Sequence, residues 1–290
     1  MAETVRSIQR RFPGKETLEG AGVRLRRAFS NPEVALLDPF LLLDNFGSNN
    51  PADYCAGFPW HPHRGIETVT YMLSGEVEHG DTLGNQGTIG AGDLQWMRSG
   101  GGIVHQEMPQ QTEGELRGFQ LWLNMPARSK MDPPAYHDVR APNIPKVDGD
   151  NGQEVKVVAG SYAGVEGPIH HAVTRPEYLD VRLPPGSSFS HPVSSGRTVF
   201  ATVISGSGTL DGSGAAVRKG ETVLFGDGGK VAATPGADGL RFLLVSGTPL
   251  HEPIAWYGPI VMNTQREIAT ALSELRKGDF LKHREVEVEG

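Results

Sequence analysis

The chain has 290 residues, with 38 glycines and 21 prolines, so about one residue in five is a backbone punctuator. Apolar residues make up 38 % before glycine is counted, enough for an ordinary core. That balance excludes long-helix bundles, collagen-like repeats and disorder, and favours many short elements joined by turns. The net charge of -7 leaves no electrostatic footprint for nucleic acid, and the short basic clusters at Arg6, Arg10 and Arg11 and at Arg24, Arg26 and Arg27 read as solvated faces.

In chain order, the N-terminal MAETVRSIQRRF holds no apolar signal core, and VALLDPFLLL (34–43) is broken by Asp38-Pro39, too short to span a bilayer. Cys55 is the sole cysteine, which rules out an internal disulfide and fits a reducing, cytoplasmic setting. It is expected to be a plain buried thiol. GIETVTYML (65–73) has strand character and turns through Ser74-Gly75 into EVEHGD, a hairpin signal. DLQWMRS and GELRGFQLWLNM continue as strands, with GNQG, GAGD and SGGG as turns between them. Five prolines and no periodicity in 126–150 indicate a joint. We expect domains at 1–130 and 131–290.

The second half repeats the texture. Turns at PPG, SGSG, DGSG and GDGG within residues 154–246, with GTP directly after, are those of a sandwich or barrel. SGSGTLDG (205–212) precedes a strand rather than a helix, so a hairpin turn is expected there, not a phosphate loop. HPVSSGRTVFATVISG (191–206) resembles HPHRGIETVTYMLSG (61–75), a half-chain repeat. Near the end, Thr264 and Glu267 form a T-x-x-E capping box. Ile268, Ala271, Leu272 and Leu275 make one apolar face, and Gly278 sits at the C-cap, predicting a docking helix over 264–277.

The chemistry lies in two short pairs. In a strand, residues i and i+2 share a face, so His61 and His63 project together with Pro62 opposite, and His105 and Glu107 form a second such pair. If these strands are neighbours, four donors converge. Three imidazoles and a carboxylate suit Fe(II), Mn, Co, Ni, Cu or Zn rather than Ca or Mg, and four protein ligands leave open positions for reactivity. A solitary His-x-His is more often solvent-facing; its His-x-Glu partner and the run Gly100, Gly101, Gly102 ahead of it favour the metal reading.

The strings PWHPHRGIETVTYMLSGEVEHGD, GDLQWMRSGGGIVHQEMP and HPVSSGRTVFATVISGSG resemble the pirin family of the cupin superfamily, from about Arg24 to the GPIVMNTQREI segment. The resemblance implies an all-β fold of two antiparallel cupin barrels face to face. It also implies one non-haem iron in the first barrel, with His61, His63, His105 and Glu107 as the metal ligands. Glu67, on the face expected to carry His61 and His63, is then an orienting group for a histidine rather than a ligand. His79 and Gln106 read as cross-strand or outward residues. His170-His171 has no partner pair in the sequence, and Arg64 and Trp96 are candidates for the pocket rim or for burial elsewhere.

Aligning the two HP strings sets Val193 at the place of His63. Counting from Gly220 sets Ala233 and Pro235 at the places of His105 and Glu107, so the second domain is expected to bind no metal. The resemblance implies two roles. One is a dioxygenase acting on quercetin-type flavonols with O2, Glu107 taking the substrate proton. The other is a non-catalytic, iron-dependent regulatory protein that docks on a protein partner such as a transcription factor or metabolic enzyme. Neither role involves direct nucleic-acid or membrane binding.

Overall fold

The computed structural model describes residues 4–110, 114–170, 172–211, 214–283 and 287–288. Strands dominate, as the turn-rich, β-branched sequence requires. In the first half they are β1 (Ile8–Phe12), β2 (Lys15–Glu19), β3 (Val23–Phe29), β4 (Phe40–Ser48), β5 (Phe58–His63) and β6 (Ile66–Ser74). They continue as β7 (Val77–Asp81), β8 (Gln86–Ile89), β9 (Leu94–Arg98), β10 (Ile103–Pro109), β11 (Leu116–Asn124) and β12 (Ala135–Val139). A four-stranded sheet runs β5-β10-β7-β8, and a larger one runs β2-β3-β4-β11-β6-β9-β12 with the short Glu287–Val288 strand beyond.

Proline chemistry explains the place of β5. Pro59 and Pro62 lack the N–H that an inner strand needs on both sides, and β5 lies at a sheet edge, paired only with β10. The expected hairpin after residue 73 is not one. Gly75 makes a tight turn at φ 78°, but β6 pairs with β11 and β9 while β7 pairs with β10 and β8. The chain therefore crosses from one sheet to the other at this turn. A turn signal specifies a reversal and leaves open which edge the next strand joins.

The second half comprises β13 (Lys146–Asp148), β14 (Glu154–Ala159), β15 (Ser161–Tyr162), β16 (Val165–Glu166), β17 (Glu177–Leu183), β18 (Phe189–Pro192), β19 (Thr198–Thr209), β20 (Ala216–Arg218), β21 (Thr222–Phe225) and β22 (Lys230–Gly247). Its main sheet runs β1-β21-β19-β22-β17-β14-β13, with β18 on β22 and β20 on β19. The SGSG segment lies within β19 and pairs back on β20 as a hairpin.

Two strands cross the expected division at residue 130. β1 belongs to the second sheet, with Phe12 opposite Thr222, and β12 belongs to the first, with Ala135 opposite Arg98. Residues 126–150 are thus no free joint. Pro126 and Pro142 belong to the starts of two short 3-10 turns, Pro133, Pro134 and Pro145 precede strands, and Ala135, Val139 and Ile144 are buried.

The halves pack sheet to sheet. Phe29, Phe40, Val69, Tyr71, Phe119 and Leu121 from one side meet Tyr178, Phe200, Leu224, Leu243 and Val245 from the other in one buried cluster. Phe200 lies edge-on to Phe29 and Phe40, at 5.2 and 5.0 Å, a preferred aromatic geometry. The second half has its own core around Val181, Val199, Val203 and Phe242. Polar links also cross the interface, among them Tyr71 Oη, which donates to Asp180 at 2.9 Å while Arg241 grips the same carboxylate at 2.9 and 2.7 Å.

The C-terminal segment returns to the first half. Apart from the single turn α1 (Val34–Leu37) ahead of β4, the one α-helix among the described residues is α2 (Gln265–Lys277), which follows the hairpin β23 (Ala255–Tyr257) and β24 (Ile260–Met262) and has both halves of the capping box and Gly278 at φ 78° as its left-handed cap. Ile268 and Ala271 are buried, Leu272 is partly so, and Leu275 is left 38 % exposed. Among the described residues no helix is long and apolar enough to cross a membrane.

Candidate metal centre

β5 and β10 lie side by side with His61 opposite His105 and His63 opposite Ile103. The alternation within each strand then turns all three imidazoles to one point. Ring centroids stand 4.8 Å apart for His61 and His63, 4.4 Å for His61 and His105, and 5.0 Å for His63 and His105. One nitrogen from each lies within 4.8 Å of the others.

The hydrogen bonds settle which nitrogens converge. His61 Nδ1 meets the Pro59 carbonyl at 2.9 Å and His63 Nδ1 the Pro259 carbonyl at 3.3 Å. A carbonyl only accepts, so each Nδ1 carries the proton and each Nε2 keeps its lone pair. His105 Nδ1 meets Tyr136 Oη at 3.4 Å. Its Nε2 is buried with no hydrogen-bond partner among the described residues. Burial pushes His63 and His105 well below the ordinary imidazole pKa, and neighbouring imidazoles push further in the same direction. Two imidazoles with inward Nε2 lone pairs and a third whose buried Nε2 is otherwise unsatisfied fit a divalent transition ion.

Glu107 follows His105 by two residues and lines the same cleft. Its carboxylate accepts from Gln120 Nε2 at 2.9 and 3.0 Å and from Thr70 Oγ1 at 3.2 Å. Trp122 Nε1 donates to Gln120 Oε1 at 3.1 Å, which fixes the amide with its NH2 toward Glu107. Behind His105, the Tyr136 ring stacks on His79 at 5.7 Å, and His79 Nε2 meets Asp138 at 2.9 Å. The cleft holds about 650 Å³, with Leu42, Phe58, Trp122 and Trp256 as apolar walls and Arg27 and Asp44 as a polar edge.

Sequence reasoning missed Gln120, Trp122, Tyr136 and the Pro259 carbonyl. The first two were readable: FQLWLN alternates, with Phe119, Leu121 and Leu123 in the core between the halves, so Gln120 and Trp122 must face the other way. Tyr136 and Pro259 come from segments with no periodic signal.

Glu67 is placed differently from the expectation. The turn at Arg64-Gly65 resets the alternation, and Glu67 shares its face with Val69 and Tyr71 in the core between the halves. Thr70, of opposite parity, faces the site. Glu67 orients no histidine; it accepts from Val173 N at 3.1 Å and Thr174 Oγ1 at 3.4 Å. Burial raises its carboxyl to about 7, against the lowering pull of the Val173 amide. Gly65 makes this turn at φ 79°, where a Cβ would overlap the Val261 carbonyl oxygen.

Arg64 is no rim residue. It is buried, paired with Glu274 of α2 at 2.7 Å, bonded to the Phe280 carbonyl at 2.6 Å and stacked 4.3 Å from the Phe280 ring. Trp96 is buried in the core between the halves. Gly100 admits the Asp132 carbonyl where a Cβ would overlap it, so the glycine run accommodates neighbouring backbone. Cys55 is exposed, not buried, because Tyr54 takes the inward position. His79 is a buried cross-strand residue, opposite Glu107, and Gln106 is half-buried opposite Gly80. His170 is exposed, and His171 lies outside the described residues.

The second half differs in register from the alignment. β18 pairs with β22 so that His191 faces Val231 and Phe189 faces Ala233; Val231, not Ala233, stands at the place of His105. His191 Nε2 is tied to Glu177 at 2.9 Å.

Comparison with known proteins agrees with this architecture. The family model described as Pirin matches residues 22–123, and that described as the Pirin C-terminal cupin domain matches residues 178–281. A pirin-like protein of Caulobacter vibrioides is 44% identical over 283 residues, covering 95% of this chain and 99% of its own. Human pirin is 40% identical over 267 residues, covering 90% of this chain and 89% of its own. The crystal structure of quercetin 2,3-dioxygenase from Acinetobacter baumannii superimposes with a TM-score of 0.89 at 32% identity, covering 96% of this chain and 99% of the other.

Proposed function

The chain belongs to the pirin family, and from that premise we propose that it is a metal-dependent dioxygenase that opens flavonols of the quercetin type with O2. The observation that carries this reading is the buried, unpartnered His105 Nε2, turned with two other imidazole lone pairs toward one point beside a cleft of about 650 Å³. The similar Acinetobacter baumannii protein, a quercetin 2,3-dioxygenase, supports the substrate class.

His61, His63 and His105 would hold the ion, with Glu107 as fourth ligand; Fe(II) is the ion proposed, within a donor set that also accepts Mn, Co, Ni, Cu or Zn. When bound, such an ion acidifies a coordinated hydroxyl and supplies redox chemistry for O2. The remaining work falls to side chains. Trp122 and Trp256, with ring centroids 6.2 Å apart, offer apolar faces to a flat polyphenol. The Glu107 carboxylate takes the flavonol hydroxyl proton. Gln120 holds both its oxygens and, being fixed by Trp122, keeps the carboxylate in place as its charge changes.

The test is aerobic incubation of the Fe-loaded protein with quercetin, following O2 uptake and carbon monoxide release. Turnover above free metal, lost in Glu107→Ala with metal content and fold measured in parallel, is the expected result. No turnover by folded, metal-replete protein would refute this reading for quercetin.

One feature favours a second reading, an iron-dependent regulatory role. Arg64 directly follows His63 and is clamped to α2 through Glu274, which couples the ligand strand to an exterior helix. That reading requires a protein partner whose affinity differs between the Fe(II) and Fe(III) forms; equal affinity for both counts against it.

A further inference from the structure

The second half carries a cavity of its own, about 670 Å³, within the size range of small-molecule sites. Its wall includes Tyr162, Arg175, Glu177, His191, Val193 and Arg197. The place is the counterpart of the metal cleft: His191 aligns with His61. Val193 stands where His63 does, and Val231 faces His191. Among the described residues here, the set that would hold an ion has been reduced to one histidine, and that histidine is already bound to Glu177.

Two guanidinium groups line the same cavity. Arg197 is pinned by neutral acceptors only, with Nε 3.0 Å from Ser246 Oγ, Nη2 3.0 Å from the Ser246 carbonyl and Nη1 3.4 Å from Thr248 Oγ1. Arg175 makes no side-chain hydrogen bond or ion pair among the described residues. The one carboxylate in the wall, Glu177, faces His191. A chain of net charge -7 therefore gathers two guanidinium groups without hydrogen-bonded carboxylates at one concave surface, with Glu177 the acidic group that acts on Arg197.

The backbone adds an independent sign. Ala163 and Arg175 line this cavity and are two of the three non-glycine residues with positive φ among the described residues, at 49° and 41°. For Ala163 the reason is local: with Gly164 at φ 80° it forms the two-residue turn between β15 and β16, which needs positive φ at both positions. Arg175 takes its positive φ where its own N–H closes a turn on the Ala172 carbonyl at 3.1 Å, directly before Pro176. A strained non-glycine backbone of this kind concentrates at ligand sites. The same hairpin carries Tyr162, stacked on Phe189 at 5.8 Å and 11° and standing 5.3 Å from His191, a rigid aromatic wall.

We propose that this cavity is a second ligand site, for a small organic carboxylate with a planar apolar body. The carboxylate meets Arg175 and Arg197, and the planar body lies along Tyr162, Pro176 and Val193.

The test is an amide NMR titration of the full chain with benzoate, with benzamide as its neutral counterpart and inorganic phosphate as an anion without a body. Saturable benzoate shifts confined to residues 160–164, 175–177 and 190–197 are expected, with benzamide and phosphate each at least about tenfold weaker. Arg175→Ala, at an exposed position, should weaken benzoate at least about tenfold, and Tyr162→Ala should weaken it without restoring benzamide. Shifts mapping instead to residues 58–63, benzamide or phosphate binding as tightly as benzoate, or benzoate affinity unchanged in Arg175→Ala would each overturn the proposal.

Discussion

Replacing Glu67 by glutamine should make the protein more stable at alkaline pH and leave its metal content intact. In the native state burial holds the Glu67 carboxyl at about 7, above its ordinary 4.5. Between these values the folded chain keeps a proton that the unfolded chain has lost, so stability falls as pH rises and the loss is complete above about 7. The gap corresponds to about 3 kcal/mol at pH 8.5 relative to pH 4. Glutamine keeps an acceptor for Val173 N–H and cannot ionise, so it should remove this slope. His63 and His105 titrate in the opposite sense, since burial lowers them, and they contribute equally to both proteins. Urea unfolding of wild type and Glu67→Gln at pH 5.0 and 8.5 therefore gives the quantity needed, the change with pH of their stability difference. That difference should shift by about 2–3 kcal/mol in favour of glutamine. A pH-independent difference, or a variant that loses stability at pH 8.5, would refute the placement of a destabilised carboxylate between the halves. Loss of metal from folded Glu67→Gln would refute its separation from the ligand cluster.

Three further outcomes follow from named contacts. Gln120→Leu removes both hydrogen bonds to Glu107 and should lower flavonol turnover about 10- to 100-fold, with the three imidazoles retaining metal by elemental analysis. Arg64→Ala leaves Glu274 and the Phe280 carbonyl without their buried partner and should cost about 3–5 kcal/mol in urea unfolding, with Arg64→Lys recovering only part. Phe200→Ala empties the aromatic centre between the two sheets and should cost about 3–5 kcal/mol; a loss under about 1 kcal/mol would mean that the halves do not depend on this packing.

What could be read from the sequence divides along physical lines. His61, His63 and His105 were legible as a converging group because strand alternation is local and neighbouring strands bring such pairs together; Glu107 lines the same cleft but stands outside that group, held by Gln120 and Thr70 across an irregular step in the ladder. The capping box of Thr264 and Glu267 was legible for the same reason: its bonds close within four residues. Glu67 was misplaced because alternation holds only along an unbroken strand, and Gly65 resets it. The hairpin expected after Leu73 and the joint expected at 126–150 failed on pairing choice. Turn residues and prolines state where a chain bends, while the neighbour that it then joins depends on distant segments such as β10 for β7 and β9 for β12. The register of β18 was likewise two residues off, since counting along the sequence ignores irregularities in the ladder.

The lateness of residues 259–280 has a consequence for how the protein comes to be made. His63 emerges from the ribosome long before Pro259, whose carbonyl fixes its tautomer, and Arg64 long before Glu274 and Phe280. A nascent chain that ends before Pro259 holds His63 without the carbonyl that orients it. The strand that carries His61 and His63 is thus completed only by a segment made much later, and a polypeptide cut short before residue 259 carries that strand without these contacts.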